Sequence, residues 1–392
     1  MNSHAGKELI YFDNSATSWP KPPGVIEAMG VFINEIGANP GRSGHQLAVE
    51  ASRVVYAARE KVNALFNGPD PLRVIFGKNI TEAINLVLMG FLKRGDHVIT
   101  SSMEHNAVMR PLRALEYQGV QVTVIPCTPE GGLEYQNVEK AIQENTNLIV
   151  INHGSNVTGT IMPIAEIGKI ARKYSLLFLV DTAQTAGAYP IDMVDMNIDL
   201  LAFTGHKSLL GPMGTGGLVI GSRVDVSKIE PLIRGGTGSR SEEEFQPEFI
   251  PDKFESGTQN AVGLAGLIEG INFIQQEGIK AIRQHEIDLI SHLKEDLNEI
   301  PGIVIYAPRH SEDQTATLSF NISGKSPSEV GFMLDEDFGI LSRVGLHCAP
   351  AAHKTIGTFP TGSVRFGLGI FNSHQEVDDT INAVKQIAKG TI

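Results

Sequence analysis

Leu177-Phe178-Leu179-Val180-Asp181-Thr182-Ala183-Gln184 is followed, roughly one βα unit later, by Leu200-Leu201-Ala202-Phe203-Thr204-Gly205-His206-Lys207. Each stretch is an apolar run of strand length that gives way to polar residues and a charge. Side chains at that place emerge beyond the carboxyl end of a strand, where open α/β sheets bind ligands. Four more runs share the pattern: Arg73-Val-Ile-Phe76, His97-Val-Ile-Thr100, Val122-Thr-Val-Ile125 and Leu148-Ile-Val-Ile151. They are near-continuously apolar, as when both faces of a sheet are covered. Between them, Ile164, Ile167, Ile170, Ala171 and Tyr174 recur at helical spacing, and Pro163 suits a first helical turn. The expected fold is α/β, with a mainly parallel central sheet.

The pattern breaks between residues 222 and 252, where Arg234-Gly-Gly-Thr-Gly-Ser-Arg240 and Glu242-Glu-Glu244 read as a long functional loop. Two helical patterns follow, over 258–277 and 279–299. After them come strands near Thr315–Phe320 and Val364–Phe366 and a closing amphipathic helix from Ser373. These predict a large domain over 20–257 and a smaller α+β domain made of 1–19 and 258–392.

Composition narrows the class. A chain of 392 residues with 42% hydrophobic content buries a sizeable core, and its formal net charge of −12 argues against a nucleic-acid surface. Two cysteines, Cys127 and Cys348, sit in unlike contexts, so a disulfide framework is not expected and a reducing compartment is. No apolar stretch approaches membrane-span length, and residues 1–12 lack a signal-peptide pattern. A soluble, cytoplasmic protein without a membrane partner is the expectation.

Lys207 and Asp181 together are the parts needed to hold pyridoxal phosphate. A lysine amine bonds the aldehyde, and a carboxylate keeps the pyridine nitrogen protonated so that the ring withdraws electrons. Taken singly, each is an ordinary surface charge beyond a strand; their joint placement favours the cofactor. Gln184 is placed to meet the phenolic oxygen, and Thr204 and His206 to meet the phosphate. In Gly77-Lys-Asn-Ile-Thr-Glu-Ala-Ile-Asn85, the amides of Ile80 and Thr81 open a helix and so offer an anion site, although Thr81 also reads as a plain helix cap. His105 follows the strand at 97–100 and reads as a ring that stacks on the cofactor or as a loop residue. Asn156 lies past the strand at 148–151 among glycines that permit close backbone approach.

Thr81-Glu82, Glu104-His105-Asn106-Ala107, Ser155-Asn-Val-Thr-Gly159, Asp181-Thr-Ala-Gln184 and Gly205-His206-Lys207, in that order, resemble the class V aminotransferase superfamily of fold-type I pyridoxal phosphate enzymes. The tail Arg343-Val-Gly-Leu-His-Cys348-Ala-Pro350 with Arg365 resembles cysteine desulfurases of the Suf type, a group that includes selenocysteine lyases. The resemblance runs from Phe12-Asp-Asn-Ser-Ala-Thr17 to the last helix. It implies that Lys207 is the Schiff-base lysine, that His105 stacks on the ring, and that Asp181 and Gln184 meet its nitrogen and phenolic oxygen. Thr81, beside Ile80, would hold the phosphate with Thr204 and His206. Asn156 and Arg365, near Arg343, would take the substrate carboxylate. Thr258 matches a position that reaches the phosphate from a partner subunit, so a homodimer is implied; no metal is.

Cys348 selects the reaction. Cysteine is often simply buried, yet this one lies in a glycine-containing loop near Arg343, a setting that favours thiolate. The resemblance implies that Lys207 takes the Cα proton of L-cysteine, that Cys348 attacks its sulfur, and that alanine and an enzyme persulfide result, for passage to a sulfur-acceptor protein. Cys127 reads as structural. This chain departs from the usual pattern in having Leu346 before His347, where relatives commonly have a second histidine, and Ile80 beside Thr81, where a threonine is frequent. The stretch Asn39-Pro-Gly-Arg42-Ser-Gly-His45 resembles the family's active-site approach loosely. Selenocysteine lyase, a class V transaminase, epimerase or carbon–sulfur lyase with Cys348 incidental, and a sulfur carrier with little turnover remain the alternatives.

Overall fold

The computed structural model describes residues 9–41, 44–240 and 242–390. Along the chain run β1 (Ile10–Tyr11), α1 (Pro23–Val31), α2 (Gln46–Leu65), β2 (Val74–Gly77), α3 (Ile80–Phe91), β3 (His97–Ser101), α4 (Asn106–Glu116) and β4 (Gln121–Ile125). Next come α5 (Tyr135–Lys140), β5 (Thr146–Asn152), α6 (Ile164–Lys173), β6 (Leu177–Asp181), β7 (Leu200–Thr204), β8 (Gly216–Ile220), α7 (Ala261–Glu277) and α8 (Ile279–Asn298). The remainder holds β9 (Ile303–Tyr306), β10 (Thr317–Ile322), α9 (Pro327–Phe338), β11 (Ile340–Leu341), β12 (Arg343–Gly345), α10 (Pro350–Thr355), β13 (Ser363–Gly367) and α11 (His374–Lys389).

Seven strands form the central sheet in the order β2-β8-β7-β6-β5-β3-β4, and all pairings are parallel except those of β8. Successive strand side chains point to opposite faces. Ile149, Ile151, Phe178, Val180, Leu201 and Phe203 enter one core, whereas Leu148, Val150, Leu179, Leu200 and Ala202 enter the other. Helices cover both faces, which is why these runs show no polar alternation. The six expected strands are all present. β8 is the addition, and its opening Gly216-Gly217 explains why no apolar run marks it. A Cβ at Gly217 would lie 2.1 Å from Ile75 O, and one at Gly216 2.7 Å from Asn79 Cα, so the close approach of neighbouring backbone excludes larger residues.

A second sheet, β12-β13-β10-β9, is antiparallel throughout and packs its own core of Leu293, Phe320, Val330, Phe366 and Val384. The N-terminal segment joins this lobe: β1 pairs with β11, and Phe12 is fully buried in the same core. Helix α7 packs against α1 and α2, with Leu264, Leu267 and Ile271 in the large core. Ile282 of α8 still belongs there, whereas Leu289 and Leu293 belong to the small core. We propose that the lobes divide within α8 rather than at residue 257. Between β8 and α7, the described residues hold no strand or α-helix, and Gln246 ties the loop together through Gly235 N, Lys253 O and Ser256 Oγ.

Helix ends follow their caps. Asn79 caps α3 by accepting from Glu82 N at 3.1 Å, which corrects the reading of Thr81 as a cap: Thr81 is in the first turn and exposed. His45 caps α2 through Ala48 N, and Arg42 lies outside the described residues. At α11, Ser373 and Glu376 form a reciprocal capping box. Ser373→Ala is expected to cost about 1 kcal/mol locally, raising amide exchange in the first turn of α11 about fivefold. Hydrogen-exchange mass spectrometry of that peptide checks it.

Candidate active site

The carboxyl ends of the central strands converge. Asn152 of β5 stands opposite Asp181 of β6, and Asp181 opposite Ala202 of β7. Lys207 follows β7 on a tight turn in which Leu210 N donates to Lys207 O and Gly205 N to Thr215 O. The N-terminal segment straps this turn from outside. Ser18 N and Lys21 Nζ donate to His206 O, the latter at 2.8 Å, and Ser18 Oγ donates to Lys207 O at 2.8 Å. The backbone is thus held while Lys207 Nζ has no hydrogen-bond or ion-pair partner among the described residues. Burial first, then the Arg365 guanidinium, pushes the Lys207 amine down to about 8, against the opposing pull of Asp181.

Asp181 is buried and accepts from Ala183 N at 2.9 Å. Burial raises its pKa, while that hydrogen bond and Lys207 lower it. His105 caps α4 through Ala107 N at 3.0 Å, and burial followed by Lys207 pushes its pKa down to about 4. A neutral ring at that place suits stacking. Gln184 gives its amide to Ser15 O at 3.1 Å. Thr204 Oγ1 and His206 Nδ1 are buried without a protein partner.

The small lobe brings in the arginines. Arg343 and Arg365 are direct cross-strand neighbours on β12 and β13. Arg365 is 2% exposed; its Nη2 meets Asp13 Oδ1 at 2.7 Å and its Nη1 donates to Asn156 O at 3.1 Å. Asn156 Oδ1 and Arg365 Nε have no partner. Cys348 is exposed on the loop between β12 and α10, and Asn106 N donates to its carbonyl at 2.8 Å. One place therefore collects Lys207, Asp181, His105, Asn156, Arg343, Arg365 and Cys348. Thr81 and Ile80 open α3 at a separate strand end, and Thr258, exposed, lines a cavity with Gly77, Lys78, Glu82 and Asn260 of its own chain. The segment before Thr258 is fixed by Glu255, which takes both guanidinium nitrogens of buried Arg59 and accepts from Phe76 N.

Some participants are not visible as such in the sequence. Glu104 is fully buried, takes Ser101 Oγ at 2.6 Å and Asn152 N at 3.1 Å, and burial pushes its pKa up to about 8. Asp13 and Lys21 act across the fold on Arg365 and the lysine turn. Only Phe12-Asp-Asn-Ser-Ala-Thr17 offers a local hint of this.

The family description Aminotransferase class-V matches residues 10–380. This chain belongs to that family. Class V members are pyridoxal-phosphate-dependent enzymes, and so is this one. A probable cysteine desulfurase of Methanothermobacter thermautotrophicus is 35% identical over 386 residues, covering 97% of this chain and 95% of the relative. Another from Pyrococcus abyssi is 35% identical, covering 98% and 95%. Among solved structures, the apo cysteine desulfurase from Thermococcus onnurineus NA1 superposes with a TM-score of 0.92 at 34% identity, covering 97% of this chain and 95% of that one. The Escherichia coli cysteine desulfurase CsdA, in an S-sulfonic acid form, gives 0.86 at 28%, covering 98% and 95%. The class V cofactor fits the residues present: a poorly solvated amine without a partner, a buried carboxylate, a neutral ring, and orphaned polar atoms at Thr204 and His206.

Proposed function

We propose that this enzyme is an L-cysteine desulfurase that yields L-alanine and places the sulfur on Cys348 as a persulfide. The observation that carries this reading is the exposed Cys348 beside the Arg343–Arg365 pair, in a site that also holds Lys207. Pyridoxal phosphate, held by Lys207, Asp181, His105, Gln184, Thr204, His206 and the first turn of α3 at Ile80 and Thr81, supplies an electron sink at Cα. Arg365 and Asn156 bind the substrate carboxylate, and Asp13 keeps the guanidinium aimed. The Lys207 amine removes the Cα proton. Cys348 thiolate then attacks the substrate sulfur: an S–S bond forms, the Cβ–S bond breaks, and its electron pair stays with the carbon fragment, which takes up a proton to become alanine. The sum is one thiol plus L-cysteine giving one persulfide plus L-alanine, with no external oxidant.

The homodimer reading rests on Thr258. Thr258 is exposed and so is available to a second subunit, and the resemblance gives that position a reach to the phosphate of a partner. Exposure of Cys348 suits delivery to a sulfur-acceptor protein. Among the described residues, no helix is long and apolar enough to cross a membrane.

An amino-acid panel tests the reading. With a thiol reductant, L-cysteine should give sulfide and alanine in equal amounts. Pyruvate and ammonia in their place would identify a carbon–sulfur lyase, and cofactor binding without turnover a carrier. L-selenocysteine, run in parallel with selenide quantified, reports the preferred chalcogen, since the same lysine and arginine serve both. Arg365→Lys keeps the buried charge but loses the planar fork, so KM for L-cysteine should rise about tenfold or more with a smaller change in kcat. Steady-state kinetics of the variant check it.

A further inference from the structure

The loop bearing Cys348 is tied down by buried polar groups that the reaction itself does not use. His347 Nε2 lies 3.3 Å from Arg343 O, His347 Nδ1 lies 3.2 Å from His353 Nε2, and His353 Nδ1 lies 2.6 Å from Thr358 Oγ1. A carbonyl oxygen only accepts, and in neutral rings that sets every proton in the chain. His347 Nε2 carries hydrogen and donates to Arg343 O. Its Nδ1 must then accept from His353 Nε2–H, and His353 Nδ1 must accept from the Thr358 hydroxyl. Both rings are buried, His353 completely. Burial drives His347 down to about 2, with Arg365 and then His353 as further causes, and drives His353 down to about 4. Protonation of His347 would set two N–H groups face to face.

The loop needs such support. His347 and Cys348 are consecutive residues in the left-handed region, at φ +49° and +56°, which costs roughly 1–2 kcal/mol for each side-chain-bearing residue. Their carbonyls are held separately, His347 O by Asn156 Nδ2 at 2.7 Å and Cys348 O by Asn106 N at 2.8 Å. The turn itself is closed by Ala349 N donating to Leu346 O at 2.8 Å, and the His347 ring adds a side-chain anchor that His353 holds.

We propose that His353, acting through His347 and backed by Thr358, is a positioning residue that keeps Cys348 in its strained, solvent-facing conformation for sulfur transfer. The proposal rests on the desulfurase reading for its kinetic consequence but not for its geometry. His353→Ala should lower kcat for L-cysteine about tenfold while KM stays within about twofold, because a displacement of under ~1 Å at the attacking sulfur is costly. The rate of Cys348 alkylation by iodoacetamide should change about threefold or more, since thiol access and environment shift with the loop. His353→Gln keeps an N–H for His347 Nδ1 and should restore most of both values. Thr358→Val should fall between wild type and His353→Ala. ¹⁵N NMR of histidine-labelled protein should show both rings as neutral Nε2–H tautomers from about pH 6 to 8.

Wild-type kcat and alkylation in His353→Ala, an Nδ1–H or charged ring at either position, or no rescue by His353→Gln each overturns the proposal. If His353→Ala does not fold, Thr358→Val decides alone, and unchanged kcat and alkylation there overturn it. Absence of desulfuration in the wild type would defeat the proposed function instead, leaving alkylation and tautomer state to judge the loop.

Discussion

Lys207→Ala is expected to lower L-cysteine turnover by about four orders of magnitude, on the order of 5–6 kcal/mol of barrier, while leaving the fold intact. The side chain holds no hydrogen bond that the fold would lose. Its turn is secured by backbone contacts to Ser18, Thr215 and Leu210. What disappears is the amine proposed to attach the cofactor and to move the Cα proton. Its pH behaviour follows from its lowered pKa. With a value near 8, the amine is roughly 1% free two units below that point and about 90% free one unit above it. Capture of pyridoxal phosphate by cofactor-free protein under borohydride should therefore rise with pH through about 8. Peptide mapping should find the label at Lys207 in the wild type and nowhere in Lys207→Ala. A labelled lysine elsewhere, or turnover that survives the substitution, would displace Lys207 from its role.

Cys348→Ala should reduce sulfide and persulfide formation by about a thousandfold or more, with cofactor binding unchanged. Stability should move by no more than about 0.5 kcal/mol, because the side chain is exposed and alanine meets the same left-handed backbone cost as cysteine. Loss of activity can then be assigned to chemistry rather than to unfolding. Cys127→Ala is the matched control. Cys127 is half-buried, and burial followed by nearby Glu104 raises its thiol pKa, against hydrogen bonds from Ser102, so it stays protonated. Its loss should leave desulfuration within about twofold of wild type. Persulfide mapping by mass spectrometry after a single turnover separates the two sulfurs, and sulfur found on Cys127 would refute the assignment.

Where sequence reading succeeded and failed has a physical pattern. The strands at 148–151, 177–180 and 200–203 are legible because burial on both faces demands an unbroken apolar run. β8 is not, since close backbone contact replaces its first side chains with glycine. The sequence offers Thr81 as the cap of α3, and only the extended backbone of Asn79 shows that the cap lies two residues earlier. The helix from Ser373 is legible because its apolar residues recur at helical spacing, and the structure adds the capping box that fixes its start.

Lys207 and Asp181 stand out locally, as charges just beyond apolar runs of strand length, whereas the roles proposed for His105 and Cys348 come from the family resemblance that their neighbours carry. Sequence alone determined the fold class, the cofactor and the candidate sulfur acceptor. The tertiary structure decided how those groups are held. Asp13 aims Arg365 from 352 residues away, Lys21 straps the lysine turn from 185 residues away, and His353 supports a strained His347-Cys348 turn. The first two contacts have no periodicity and no fixed spacing; they exist only because the fold brings hydrogen-bonding groups from distant parts of the chain within reach, whereas the third depends on the course of the turn between its two rings.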